Sequence, residues 1–167
     1  MAIQHLFAFS SLVDGAAIAA GSPYGCGSLN DSDDACMTGP VHIQDTLEYI
    51  KKRALSKKID PTSNLKRTPV VLYSGKSDLT VYRKVMMETQ RQLENFVDPD
   101  KLYAEFDTWG GHVWPIDHGR CSCGVCPTGG SEHLECCNVN NCGLDLSGEL
   151  LRATYTQVMA RVPANDR

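Results

Sequence analysis

The sequence holds no apolar run long enough to cross a membrane and no excess of positive charge. A spanning helix needs roughly 18 or more apolar residues in succession, and Asp14 and Gly15 break the only long apolar run. The net charge of -4 supplies no basic field to hold nucleic acid. The basic clusters Lys51-Lys52-Arg53 and Lys57-Lys58 recur at helical spacing, as a solvated helix face does. No internal repeat or low-complexity tract is present, which excludes a repeat array. Residues 1–20 end in a small-residue A-x-A pattern before Gly21, but they lack the Lys or Arg that opens a secretory leader. Asp14 also interrupts their apolar stretch, so they are read as folded core.

Cysteine, by contrast, is abundant: eight in 167 residues, with 42% apolar and 22% charged residues overall. The composition is that of one soluble globular domain. An even, clustered cysteine count favours disulfides and an oxidising, extracellular location. Cys26 and Cys36 fall in one loop, and Cys121, Cys123, Cys126, Cys136, Cys137 and Cys142 crowd a second. With His118 and His133 nearby, the second cluster also offers the ligand types of a zinc site. Paired C-x-x-C knuckles at zinc-ribbon spacing are lacking, so bridges are expected and no metal or other cofactor. Six cysteines allow 15 connectivities, and the sequence does not choose among them.

Hydrophobic periodicity organises the chain. Ala2, Ile3, Leu6, Phe7 and Phe9 form a helical stripe, and residues 15–20 read as a short buried strand. Residues 21–39 are rich in Gly, Ser, Asn and Asp and read as a loop tied by a bridge. Ile43, Leu47, Ile50, Ala54 and Leu55 trace one face of a helix over 41–58. Strands are expected at 69–73 and 102–106, with a helix over 81–96 between them and a last helix over 147–159. Strands alternating with helices predict an α/β fold with a parallel sheet flanked by helices. The expected division of the single domain 1–167 is an α/β core (1–108), a cysteine-rich loop bearing His112 (109–146) and a C-terminal helix (147–160). Three parallel strands leave sheet edges without neighbours, and Met1 falls inside a helix. The sequence is therefore read as a piece of something larger.

In such folds the reactive groups lie beyond the carboxyl ends of the strands. Asp78 follows the second strand in Tyr73-Ser74-Gly75-Lys76-Ser77-Asp78, and His112 follows the third in Trp109-Gly110-Gly111-His112. An acid and then a histidine on successive loops is the order in which a carboxylate fixes an imidazole that serves as general base. Against that stands the plain use of a loop Asp in a turn. His118 is the reserve base, and His5, His42 and His133 lack comparable context.

Four stretches carry a more specific signal. Ala20-Gly21-Ser22-Pro23-Tyr24-Gly25-Cys26, Leu72-Tyr73-Ser74-Gly75-Lys76-Ser77-Asp78-Leu79-Thr80-Val81, Gly111-His112-Val113-Trp114-Pro115 and Asn141-Cys142-Gly143-Leu144-Asp145 resemble, in order and spacing, the single-domain poly(3-hydroxybutyrate) depolymerases. The resemblance implies a partial α/β-hydrolase with Asp78 as triad acid and His112 as triad base. In that family a GxSxG elbow directly precedes the helix corresponding to residues 1–9, so the nucleophile is expected to be missing here. Ser22 is a poor substitute: Pro23 has no N–H to help form an oxyanion hole. An HGC-like oxyanion-hole motif is likewise expected beyond Tyr155 and does not occur. The implied parent cleaves short-chain polyesters, with Trp114, Tyr24 and Trp109 as candidate substrate-binding aromatics and core packing as the alternative for the last two. This chain alone is expected to be inactive. A catalytically dead cysteine-rich binding or scaffold protein and a feruloyl- or acetylxylan-type esterase are the alternatives. A polyester or small ester is the expected partner, and neither nucleic acid nor a membrane is.

Overall fold

Val70-Val71-Leu72-Tyr73 forms β2 (Val70–Tyr73), which is buried at all four positions. A strand apolar on every residue has no face for water, so it belongs at the centre of a sheet covered on both sides. The computed structural model describes residues 1–30, 32–119, 121–124, 138–155 and 157–158. In it, β1 (Ala16–Ala19) and β3 (Leu102–Glu105) flank β2, both parallel to it. The register runs Ala16 to Val70 to Leu102 and Ala19 to Tyr73 to Glu105.

The pleat sends alternate residues to opposite faces. Ala16, Ile18, Val70 and Leu72 point into the larger core, where they meet Ile3, Leu6 and Phe7 of α1 (Ala2–Ala8), Ile50 of α4 (Ile43–Leu55) and Met86 and Leu93 of α5 (Arg83–Leu93). Ala17, Ala19, Val71 and Tyr73 point the other way, against Leu146 and Leu150 of α6 (Leu146–Thr154). Helices thus cover both faces of a parallel sheet, which is the fold class expected from the sequence.

Several local expectations need correction. Residues 21–39 contain two short helices, α2 (Cys26–Leu29) and α3 (Asp33–Thr38), joined by the Cys26–Cys36 disulfide. Helices of four and six residues are too short to carry a readable amphipathic period. Gly25, just before α2, has φ 85° and a Cβ there would meet the Tyr49 ring, so both backbone and space require glycine. Phe9 and Leu55, placed on buried helix faces by periodicity, are 48% and 77% exposed; Phe9 is the residue that ends α1 and Leu55 the last of α4. The final helix stops at Thr154, and Tyr155 is extended, short of the expected end. Finally, β4 (Trp114–Ile116) and β5 (Val139–Asn141) pair in parallel as a second small sheet within the region read as loop. Val139-Asn140-Asn141 has no apolar alternation to announce it. Among the described residues no helix is long and apolar enough to cross a membrane.

Candidate active site

The chain leaves β2 at Tyr73 and reaches Asp78 through a tight turn in which Asp78 N–H donates to the Gly75 carbonyl at 3.1 Å. The Asp78 side chain then turns inward, only 1% exposed. Its Oδ1 accepts from the backbone N–H groups of Thr80 and Val81, both at 2.9 Å. Two amide donors on one oxygen hold the carboxylate plane still and leave Oδ2 for a different partner. That partner is His112, whose Nδ1 lies 3.1 Å from Oδ2. An ionised carboxylate only accepts, so the imidazole proton sits on Nδ1 and Nε2 is left as the acceptor. The His112 side chain is half exposed, at 48%. The arrangement therefore joins a buried, fixed carboxylate to an accessible imidazole.

His112 arrives on the loop after β3, and that loop is sewn to the Asp78 loop by backbone. Lys76 N–H donates to Thr108 O at 3.0 Å, Ser77 N–H to Gly110 O at 2.8 Å, and Ser74 N–H to Glu105 O at 3.1 Å. Outside this seam, Lys76 and Arg83 both reach Asp107, at 3.5 and 3.2 Å, but Asp107 is 80% exposed and such pairs contribute little. Beneath the seam lies Tyr73, 1% exposed, with a phenol that bonds nothing among the described residues. Burial, then the charges of Asp78 and Glu105, push that phenol up to about 12.

A cleft of about 210 Å³ opens beside the imidazole, lined by Ala19, Ala20, His112, Val113, Trp114 and Asn138. Trp114 is thus brought to the cleft, its Nε1–H donating to Ser147 Oγ at 3.3 Å. Tyr24 is not: it is 6% exposed, packs on Phe7 at 4.9 Å, and exchanges two hydrogen bonds with buried Gln92. It is a core aromatic, as the packing alternative held. Trp109 is 67% exposed and lies outside the cleft lining. No hydrogen bond joins Ser22 to His112 among the described residues. His118 Nδ1 lies 2.8 Å from Asp117 Oδ1 on an exposed loop, away from Asp78. Ala20, which opens one of the family-like stretches, was not expected at the cleft. It sits at the cleft end of β1 with φ 50°, a left-handed conformation that an alanine rarely adopts. Nothing in the motif Ala20-Gly21 announces which of the two residues takes it.

The cysteine layer supports the base from outside. Cys123 and Cys142 are bridged, and Cys121 is also disulfide-bonded. Cys142 N–H donates to Ile116 O at 2.8 Å, tying the bridge to β4 just past His112. Cys126, Cys136, Cys137 and His133 lie outside the described residues. Among the described residues no three His, Cys, Asp or Glu side chains gather as a metal site would require.

No protein-family model matches the chain. Two solved structures do superpose on it over 97% of its length. One is a PHB depolymerase serine-to-alanine variant complexed with R3HB trimer, with TM-score 0.82 and 27% identity, and the other is the PHB depolymerase from Penicillium funiculosum, at 0.81 and 26%. The chain has a poly(3-hydroxybutyrate) depolymerase-like fold. Curated sequences agree with that likeness to the depolymerases: the poly(3-hydroxybutyrate) depolymerase of Delftia acidovorans is 29% identical over 96% of the chain, and the polyhydroxybutyrate depolymerase of Talaromyces funiculosus 27% over 96%. The chain spans 32% and 46% of those two relatives and 49% of each solved depolymerase.

Proposed function

We propose that these residues form the acid-and-base half of a serine-type hydrolase of short-chain 3-hydroxyalkanoate polyesters. The observation that carries the reading is the Asp78–His112 pair, with Oδ1 held by two amides and Oδ2 at 3.1 Å from Nδ1. In the reaction, a serine hydroxyl attacks the ester carbonyl while Nε2 of His112 takes its proton. The tetrahedral intermediate collapses to an acyl-enzyme, and the same proton passes to the departing alkoxide. Water then repeats the sequence and frees the acid. Asp78 keeps the imidazole in one tautomer and stabilises the imidazolium that forms. No Ser, Thr or Cys side chain hydrogen-bonds His112 among the described residues, which fits an attacking hydroxyl supplied from outside them. Trp114 and Val113 give the cleft an apolar wall suited to an ester with a short side chain. The disulfides fit an extracellular enzyme.

The test is ester turnover in the longest gene product that contains these residues. Asp78→Asn or His112→Ala is expected to lower it by roughly 10⁴-fold, the cost of losing the correct tautomer or the base, while His118→Ala leaves it unchanged. Near-normal turnover by His112→Ala would overturn the assignment. An unmodified protein that binds 3-hydroxybutyrate oligomers without cleaving them would point to a binding scaffold. Preference for aryl or sugar esters over polyester film would point to a feruloyl- or acetylxylan-type enzyme.

A further inference from the structure

The loops bearing Asp78 and His112 meet backbone to backbone at Gly75. A Cβ added there would fall 2.5 Å from the Gly110 carbonyl carbon, 2.7 Å from Gly111 O, and closer still to Gly110 O. Real Cβ atoms do not come so near, and the atoms in the way are main chain, which has no rotamer to escape into. Gly75 has no positive φ, so glycine is needed here for space alone. The same short stretch carries the hydrogen bonds from Ser77 N–H to Gly110 O and from Lys76 N–H to Thr108 O. Gly110 is packed from its other side as well. A Cβ on it would lie 2.7 Å from the Tyr73 hydroxyl and 2.9 Å from Cys123 Sγ.

We propose that Gly75 and Gly110 are positioning residues: their backbone contact sets the separation of Asp78 from His112. The proposal rests on the reading of that pair as acid and base. Asp78 is three residues from Gly75 and His112 two from Gly110, and each is tied to its own loop, so a shift at the seam passes directly to the gap between carboxylate and imidazole. A hydrogen bond of 3.1 Å tolerates little lengthening before it is lost. The seam thus fixes the tautomer of a histidine that neither glycine touches.

The experiment is ring-nitrogen correlation spectroscopy on the 15N-labelled chain, which reads the His112 Nδ1–H directly and needs no turnover. The unmodified chain should show one tautomer with a hydrogen-bonded Nδ1 proton, and Asp78→Asn should lose that signal. Gly75→Ala should lose it equally, with the far-ultraviolet circular dichroism retained. Gly15→Ala is the control for crowding: its Cβ would press on the Thr154 hydroxyl, a side chain that can rotate away, and the His112 signal should stay. A Gly75→Ala spectrum identical to the unmodified one overturns the proposal. An Asp78→Asn spectrum identical to it overturns the pairing beneath. Should Gly75→Ala fail to fold, Gly110→Ala decides. It should lose the signal with the far-ultraviolet circular dichroism retained, and a Gly110→Ala spectrum identical to the unmodified one overturns the proposal. In a chain with turnover, Gly75→Ala should lower kcat by roughly 10²-fold, as a small misplacement does, with KM unchanged.

Discussion

In the sheet core, β2 is buried at every position, and two apolar clusters on opposite faces surround it. In the layer formed by residues 109–119, 121–124 and 138–145, Val113 and Pro115 are the buried apolar side chains among those described. The layer instead leans on the Cys123–Cys142 bridge, on the short β4–β5 pairing and on backbone hydrogen bonds to the core. Hydrophobic burial holds one region and covalent and backbone ties hold the other. The candidate site takes one residue from each: Asp78 from the rim of the core, and His112 from the layer. Its geometry is therefore only as firm as the seam between two regions stabilised by different means.

Four changes probe that contrast, in descending order of expected effect. Leu72→Ala removes a fully buried side chain from the central strand. It should cost about 2–5 kcal/mol, read as a lower urea midpoint for the whole chain, because the layer has no core of its own to survive on. Cys123→Ser with Cys142→Ser should cost about 2–4 kcal/mol. Here the difference between regions should show: amide exchange should accelerate first around His112 and β4, with β2 still protected. Uniform acceleration would mean the layer and the core unfold as one unit. Asp145→Ala removes the side-chain cap on α6, where Oδ1 accepts from Gly148 N–H at 2.9 Å. It should cost about 1 kcal/mol and loosen the helix that covers the second face of the sheet.

The smallest effect is at Tyr73. Its phenol is buried without a hydrogen-bond partner among the described residues, so Tyr73→Phe should change neutral-pH stability by no more than a few tenths of a kcal/mol, or stabilise slightly. The consequence is at alkaline pH. The folded state holds the proton up to about 12 against an ordinary value of 10.0. The unfolded chain therefore releases it first, and the contribution that is intact below pH 10 is lost as pH rises through about 12. Thermal melts across that window should fall less steeply for Tyr73→Phe than for the unmodified chain.

Much of the core was legible because its signals are local. Val70 to Tyr73 is an unbroken apolar run, and the stripe of Ile3, Leu6 and Phe7 keeps helical period. The positions of Asp78 and His112 just past two strand ends could be read in the same way. Phe9 and Leu55 misled because they stand at helix ends, where the helical period no longer implies burial. The helices at 26–29 and 33–38 and the strands at 114–116 and 139–141 were missed because three to six residues are too few to show a period. Tyr24 illustrates the limit for site residues: an aromatic in a glycine-rich loop reads the same whether it faces a cleft or, as here, the core.

The sequence by itself determined the α/β class, the parallel central strand and the two strand ends where an acid and a histidine stand, since each follows from side-chain pattern over a few residues. Only the tertiary structure decided that Oδ2 of Asp78 faces Nδ1 of His112, that Trp114 lines the cleft while Tyr24 does not, and that Gly75 lies against Gly110. Those facts depend on how two distant backbone segments approach to within hydrogen-bonding distance, and no local pattern of side chains encodes that approach.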